Sequence, residues 1–188
     1  IPLMLCGTEA QQAEYLPQFA AEAPPPVTAA LVEPVVQFSP YKLRTTATRD
    51  GDEYVLQGQK TFVPLADEAE TILIYAADDG RTQAFLVSRD ASGLAIGKRD
   101  RLMGAKALAT NLVTLENCRV PAANRLGGEK GIDFSLLLNH SRVALGAAAV
   151  GVARAGFAYA RDQAKQRIRV GEAIGDGQSV ALILADMA

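Results

Sequence analysis

The hydrophobic pattern of this sequence changes its period twice, and this constrains the fold more than any other feature. Residues 8–22 follow a short helical pattern. Residues 27–120 show short β-rich runs separated by turn signals, of which the pair Asp50-Gly51 is the strongest. From residue 132 to about 166 the period becomes helical again. The sequence therefore predicts an α+β protein, with a β domain in the middle of the chain and helices on either side.

The middle segment predicts a small antiparallel β-barrel or sandwich, flanked by helical-bundle segments. Long helical patterns between the strands are missing, which argues against a parallel sheet. The sequence also lacks the G-x-G-x-x-G motif of dinucleotide-binding folds. The predicted strands cover residues 44–49, 53–58, 71–75, 83–87, 94–97 and 112–120.

Local signals give the predicted domain boundaries. Thr8 and Gln11 form a capping-box pattern at the start of the first helix, and the prolines at 24–26 favour an extended linker. We expect residues 1–26 to be the end of an N-terminal helical domain with its linker, and residues 27–127 to be the β domain. Residues 128–188 are then the first two helices of a C-terminal bundle.

The predicted long helix carries a surface of small residues between Gly146 and Gly156. Each glycine in a helix interior costs about 0.5–1 kcal/mol relative to alanine, and close packing of another helix would offset that cost. We therefore expect homo- or hetero-oligomerisation through the C-terminal helices. Glycines between 171 and 177 interrupt the pattern, and a second helix is predicted from about Gln178.

Composition excludes several classes of protein. The 19 Lys and Arg residues against 21 Asp and Glu residues give a net charge of −2, which does not suit a nucleic-acid-binding surface. The longest apolar run, residues 143–153, is too short for a membrane span. Cys6, Cys118 and the single histidine His140 cannot form a zinc site or a disulfide framework, which predicts no metal and a reducing, cytoplasmic location. The apolar pattern at the C-terminus and the first residue Ile1 predict a fragment of a longer chain.

A block from Met103-Gly104 to Leu126-Gly127 resembles a known family at that family's spacing. Between these ends the block contains Lys106-Ala107, Thr110, Cys118-Arg119-Val120-Pro121 and Asn124. The sequence is similar to the acyl-CoA dehydrogenases. Further matching residues are Gly7-Thr8-Glu9, Tyr15-Leu16-Pro17, Glu33-Pro34, Gly58-x-Lys60-x-Phe62, Ala84-Phe85-Leu86-Val87, Arg142, Gly151, Arg167, Gly171, Gln178 and Leu184-Ala185-Asp186-Met187-Ala188.

The resemblance implies an FAD enzyme that removes the α-proton and the β-hydride of an acyl-CoA thioester, with an electron-transfer acceptor as a possible partner. It assigns cofactor binding to Val32, Phe62, Pro64, Arg167, Gly171 and Gln178. It assigns substrate binding to Phe38, Ser141 and Arg142. In the family, the arginine at position 167 reaches across a dimer interface to the partner's FAD diphosphate.

The positions assigned to the flavin depart from the family pattern. The family's Leu-Thr-Glu-Pro-x-Ala-Gly-Ser-Asp is replaced by residues 31–39, with Val32 in place of threonine and Phe38 in place of serine. Pro64 replaces a threonine that donates to the flavin, and proline has neither hydroxyl nor backbone N–H. Either this subunit has lost its own flavin site, or its loop takes another route to the cofactor.

The catalytic base is not visible in this sequence. A minority of the family places its glutamate immediately before the arginine of the long helix, and here that residue is Ser141, before Arg142. A hydroxyl of ordinary pKa does not replace a carboxylate in removing an α-proton, so we expect the base outside the fragment. Three hypotheses follow: an FAD-dependent acyl-CoA dehydrogenase, a non-catalytic, flavin-site-degenerate subunit of a heteromeric one, and an acyl-CoA oxidase-like relative.

Overall fold

The computed structural model describes residues 1–104, 106–169 and 171–188. These residues form two compact units, Ile1–Phe134 and Ser135–Ala188. The first unit contains the N-terminal helices and the β-sheet, and the second contains most of the long helix and the helix after it. The predicted domain boundaries at residues 26 and 127 stay predictions.

The N-terminal helices are short, and the second of them is attached to the rest of the first unit through Gln11. Helix α1 spans Pro2–Cys6 and helix α2 spans Glu9–Tyr15. The predicted capping box is present, because Thr8 Oγ1 accepts from the Gln11 N–H and Gln11 Oε1 accepts from the Thr8 N–H. The buried Gln11 Nε2 also donates to the carbonyls of Ala123 and Arg125, each at 2.9 Å, so α2 is fixed to the segment that follows the last long strand.

Seven strands form one sheet. They are β1 Val27–Ala30, β2 Thr46–Asp50, β3 Glu53–Pro64, β4 Thr71–Asp78, β5 Arg81–Ser88, β6 Leu94–Arg99 and β7 Thr110–Pro121. The order along the sheet is β1-β4-β2-β3-β7-β6, and β5 pairs with β4. Strands β2 and β3 form the predicted hairpin, with Gly51 at φ +63° in its turn.

The predicted α+β fold, an antiparallel β-barrel or sandwich with helical segments on either side, is confirmed as a curled sheet with helices, with one difference in strand pairing. Most neighbouring strands are antiparallel, but β1 and β2 both run parallel to β4. The physical reason is that neither strand is joined to β4 by a tight turn, since β2 and β3 lie between β1 and β4 in the chain, and β3 lies between β2 and β4. The core lies on one face of the sheet and includes Leu56, Ile72, Ile74, Phe85, Val87, Val113 and Leu115.

The second unit begins within helix α3, Phe134–Gln166, which has 33 residues and a length of about 50 Å at 1.5 Å per residue. A small hairpin follows, β8 Ile168–Arg169 and β9 Glu172–Ala173, and helix α4 spans Gln178–Met187. Length and composition alone would allow α3 to cross a membrane, a test that core helices of soluble proteins also pass. The expectation of no membrane span therefore stays a prediction.

Candidate functional site

The segment after β1 is anchored by the carboxylate of Glu33. One oxygen, Oε2, accepts from the Arg44 N–H at 2.7 Å. The other, Oε1, accepts from the Thr45 N–H at 2.8 Å and from Lys60 Nζ at 2.9 Å. Because both oxygens have partners, a carboxylate that is only 3% exposed remains satisfied.

Lys60 extends from β3 into the interior and meets Glu33 there. Its side chain is fully buried, and Nζ also donates to the Leu31 carbonyl at 3.2 Å. Removing one partner of such a buried pair leaves an uncompensated charge, so the two residues depend on each other. The ion pair therefore ties the segment after β1 to the middle of β3.

The pKa values of the two groups follow from burial and hydrogen bonding. Burial disfavours the charged carboxylate of Glu33, but the hydrogen bonds from Arg44, Lys60 and Thr45 outweigh it, and the pKa of Glu33 is lowered. Burial also lowers the pKa of Lys60, and the contact with Glu33 offsets part of that effect. The lowered Glu33 pKa keeps this carboxylate ionised at neutral pH.

Gly58 explains how β3 passes close to this pair. Its φ of +146° lies in a region that favours glycine. A Cβ at this position would lie 2.7 Å from Thr45 Cα, which is closer than real Cβ contacts. Thr45 is itself buried and holds Glu33 through its N–H. Glycine is thus required at position 58 by the close approach of Thr45. Two residues later in the strand, Lys60 points inward and reaches Glu33.

A β-bulge follows Lys60 and contains Phe62. The register between β3 and β7 shifts between Lys60 and Val63. Phe62 has φ +53°, which is uncommon for a non-glycine residue, and it is 53% exposed. Bulges often re-aim a side chain next to a functional site. Here the bulge turns the Phe62 side chain toward solvent.

Two further residues at predicted flavin positions border this bulge. The Thr61 N–H donates to the Val32 carbonyl at 2.9 Å, which places Val32 beside β3, and its side chain is 37% exposed. Pro64 is half-buried and pairs with Thr110 of β7. We call Glu33, Thr45 and Lys60 the floor of the candidate site, and Val32, Phe62 and Pro64 its rim.

The predicted substrate residues belong to different units of the chain, Phe38 to the first and Ser141 and Arg142 to the second. Phe38 is half-buried, two residues before Pro40, whose carbonyl accepts from Thr82 Oγ1 of β5 at 2.8 Å. Ser141 and Arg142 are exposed on α3, and Arg142 Nη1 lies 3.5 Å from Asn139 Oδ1. Their assignment to substrate stays a prediction.

Three further residues predicted to bind the cofactor, Arg167, Gly171 and Gln178, lie between the end of α3 and the start of α4, and Arg167 is the one predicted for the diphosphate. Arg167 follows the last residue of α3, and its carbonyl accepts from the Ile174 N–H at 2.9 Å. Gly171, at φ +88°, lies in the turn of the small hairpin, and Gln178 is the first residue of α4. Both side-chain-bearing residues, Arg167 and Gln178, are exposed.

Comparison with known proteins identifies the class. The chain matches the family described as "Acyl-CoA dehydrogenase, middle domain" over residues 28–118, and "Acyl-CoA dehydrogenase, C-terminal domain" over residues 131–188. It is 34% identical to an acyl-CoA dehydrogenase of Bacillus subtilis over all of this chain and 51% of that protein. The chain belongs to the acyl-CoA dehydrogenase family, and it spans about half the length of the curated relatives it matches.

Two further similarities concern cofactor and partner. The caffeyl-CoA reductase-Etf complex subunit CarC of Acetobacterium woodii is 34% identical, with all of this chain and 51% of that protein covered. A crystal structure of a glutaryl-CoA dehydrogenase from Mycobacterium smegmatis in complex with FADH2 superposes with a TM-score of 0.86. Its sequence is 28% identical, over 98% of this chain and 48% of that one.

The rim does not fit the hydrogen bonds that the resemblance implies for a flavin. The side chains of Val32, Phe62 and Pro64 contain no nitrogen or oxygen atom, and Pro64 has no backbone N–H. Asn111, which faces Val63 across the ladder, has an unpartnered buried Oδ1 in the described part of the chain. This atom is an amide oxygen, which accepts hydrogen bonds and does not replace the missing donors, and Nδ2 of the same side chain donates to the Gly97 carbonyl.

The floor was not predicted as part of the site. Glu33-Pro34 and Lys60 were noted only as residues that match the family, without a role. One signal could have shown that Lys60 is buried. It lies in a strand between Leu56 and Val63, which are apolar and buried. A buried lysine requires a counter-charge, and the pattern alone did not show which acid supplies it.

Proposed function

We propose that this chain is part of a subunit of an enzyme that oxidises acyl-CoA thioesters between the α and β carbons, in an assembly that uses FAD. The single observation that supports this most is that family matches cover both the β domain and the C-terminal helices. When bound, FAD supplies the hydride acceptor, and the α-proton requires a carboxylate base. We expect that base outside the present chain, since Ser141 stands at one of the two family positions.

Electron transfer and assembly are part of the same proposal. The relative named as a subunit of an Etf complex supports an electron-transferring protein as the acceptor. Oligomerisation is supported by α3, where a Cβ added at Gly146, Gly151 or Gly156 would meet no atom within 4 Å. We also propose a cytoplasmic location, consistent with the free thiols of Cys6 and Cys118 in the structure.

An oxidase-like relative is the competing activity. It shares the fold and differs in passing electrons to oxygen. The test is an assay of the purified full-length assembly with a panel of acyl-CoA thioesters, in air and without oxygen. The proposal expects acyl-CoA-dependent reduction of an added electron acceptor without oxygen. Turnover that requires oxygen would favour the oxidase, and no turnover in either condition would contradict the proposal.

Arg167 provides a prediction about cofactor retention. If its guanidinium pairs with a flavin diphosphate across a subunit interface, the contact contributes about 1.5–3 kcal/mol. Arg167→Ala should then weaken FAD binding to the assembled complex by roughly ten- to a hundredfold. Fluorescence titration measures the dissociation constant, and Arg81→Ala, at the exposed start of β5 and outside the small-residue surface of α3, is the matched control. An unchanged constant in the Arg167 variant would contradict this role.

A further inference from the structure

The rim and the floor of the candidate site have different chemistry although they belong to the same two segments. In the first segment, exposed Val32 precedes buried Glu33. In the second, buried Lys60 precedes exposed Phe62 by two residues. The charged groups of Glu33 and Lys60 bond to each other and to backbone groups, whereas the exposed side chains of Val32 and Phe62 are apolar.

We propose that the β domain of this chain does not hold an isoalloxazine ring of its own, and that the defect is confined to the residues at its surface. In an assembly that uses FAD, the flavin then belongs to another subunit, a family relative whose equivalent residues carry the hydroxyl donors. This inference rests on the proposed function for the use of FAD, but its first part concerns only the residues of this chain.

The rim lacks the hydrogen-bond donors that a buried flavin edge requires. A flavin edge carries carbonyl oxygens and ring nitrogens that require donors when they are buried, and an unpaired buried acceptor is unfavourable. Val32 and Phe62 offer no side-chain donor, and Pro64 offers neither a side-chain nor a backbone donor. The loss at Pro64 cannot be repaired by a change of rotamer, because the nitrogen itself carries no hydrogen.

The backbone beneath the rim is held in place by hydrogen bonds of the floor. The Glu33 carboxylate is held by three donors, from Arg44, Thr45 and Lys60, and the Val32 carbonyl is bonded to Thr61. These contacts, at 2.7–2.9 Å, hold the segment after β1 against β3. The backbone therefore places residues 32 and 64 beside the same bulge, and the change is one of side-chain chemistry.

Phe38, in the segment after β1, is a further departure from the family. This half-buried aromatic ring stands where the family has a serine, so the change adds volume and removes a hydroxyl together. The anchor of the segment, the hydrogen bond from Thr82 Oγ1 to the Pro40 carbonyl, does not involve the Phe38 side chain. Phe38→Ser can therefore be made without breaking that anchor.

The test is fluorescence titration of FAD into the full-length protein purified without any partner, for the wild type and for the triple variant Val32→Thr, Phe38→Ser, Pro64→Thr. The wild type should purify with much less than one FAD per chain. The dissociation constant of FAD should be at least about tenfold lower for the triple variant, because each restored hydrogen bond stabilises the bound flavin. Val27→Thr, which adds a hydroxyl to an exposed valine of β1, is the matched control and should bind like the wild type.

Circular dichroism and thermal unfolding of each variant show whether it is folded. One flavin per wild-type chain would overturn the proposal. A folded triple variant that binds no more tightly than the wild type would also overturn it, because the defect would then not be confined to these side chains. The proposed function fails on a different observation, the absence of acyl-CoA-dependent turnover in the flavin-containing assembly.

Discussion

The floor and the rim of the candidate site are adjacent in sequence, yet they hold opposite chemistry. The floor consists of charged and polar residues, Glu33, Thr45 and Lys60, that are almost completely buried. The rim residues Val32 and Phe62 are apolar and exposed. In an ordinary globular protein the apolar side chains would lie inside and the charges outside.

This inversion shows which constraints act on each region. The floor residues are coupled, since loss of one leaves the others as unsatisfied buried groups. The rim side chains of Val32 and Phe62 face solvent and make no such polar pair, so each can change without leaving a buried charge unpaired. A buried network of this kind can preserve the shape of a site after the chemistry at its surface has changed.

The largest predicted effect comes from breaking the floor. Glu33→Ala leaves the Lys60 ammonium buried with the Leu31 carbonyl as its remaining partner in the structure, and also removes the acceptor of two N–H groups. We expect a loss of about 3–5 kcal/mol in the free energy of unfolding. Urea unfolding of the full-length protein measures this, provided that the transition is cooperative.

Two variants test whether the loss arises from the buried pair. Glu129→Ala removes an acid that pairs with Arg49 on the surface, and it should cause little change because both side chains are exposed. The double variant Glu33→Gln, Lys60→Met should lose less than the sum of its two single changes, by about 0.5–3 kcal/mol. Additive single changes would contradict the coupling.

The pH dependence of stability is the next effect in size. The folded-state pKa of Glu33 lies below the ordinary value of 4.5, so the unfolded chain binds more protons in the interval between the two values. The stabilisation is therefore fully present above pH 4.5 and is lost as the pH falls through the folded-state pKa. The stability difference between wild type and Glu33→Gln should shrink over this acidic interval, and parallel curves would contradict the assignment.

Sequence reasoning succeeded where the signals are local. The Asp50-Gly51 pair predicted the hairpin of β2 and β3, and the start of α4 at Gln178 was also predicted. It stopped β3 at residue 58, whereas the strand continues to Pro64. Gly58 and the buried Lys60 interrupt the expected alternation, so the pattern of alternating apolar residues ends before the bulged part of the strand.

The parts of the site differ in the same way. The rim positions were predicted, because the family motif assigns them one by one and the departures are visible as residue types. The floor was not predicted, because Lys60 and Glu33 are 27 residues apart in the sequence. Their pairing depends on how the chain between them folds. Helix α1 and the hairpin of β8 and β9 were also missed, because both are too short for a periodic signal.

The smallest predicted effect concerns the backbone of the rim. Phe62 has φ +53°, a left-handed conformation that costs a residue with a Cβ about 1–2 kcal/mol and costs glycine little. Phe62→Gly and Phe62→Ala both remove the ring, so their difference isolates the backbone conformation. After the greater flexibility of unfolded glycine is included, the glycine variant should be more stable by about 0.5–1 kcal/mol.

At Thr61, whose φ is negative, the same pair of substitutions should give the reverse order, since an interior strand glycine is unfavourable. Thermal unfolding of the four variants measures both differences. Strain of this kind persists only where neighbouring structure imposes it. The predicted order at Phe62 would therefore indicate that the floor still imposes its geometry on a rim whose side chains have changed, and equal stabilities of the two Phe62 variants would contradict that.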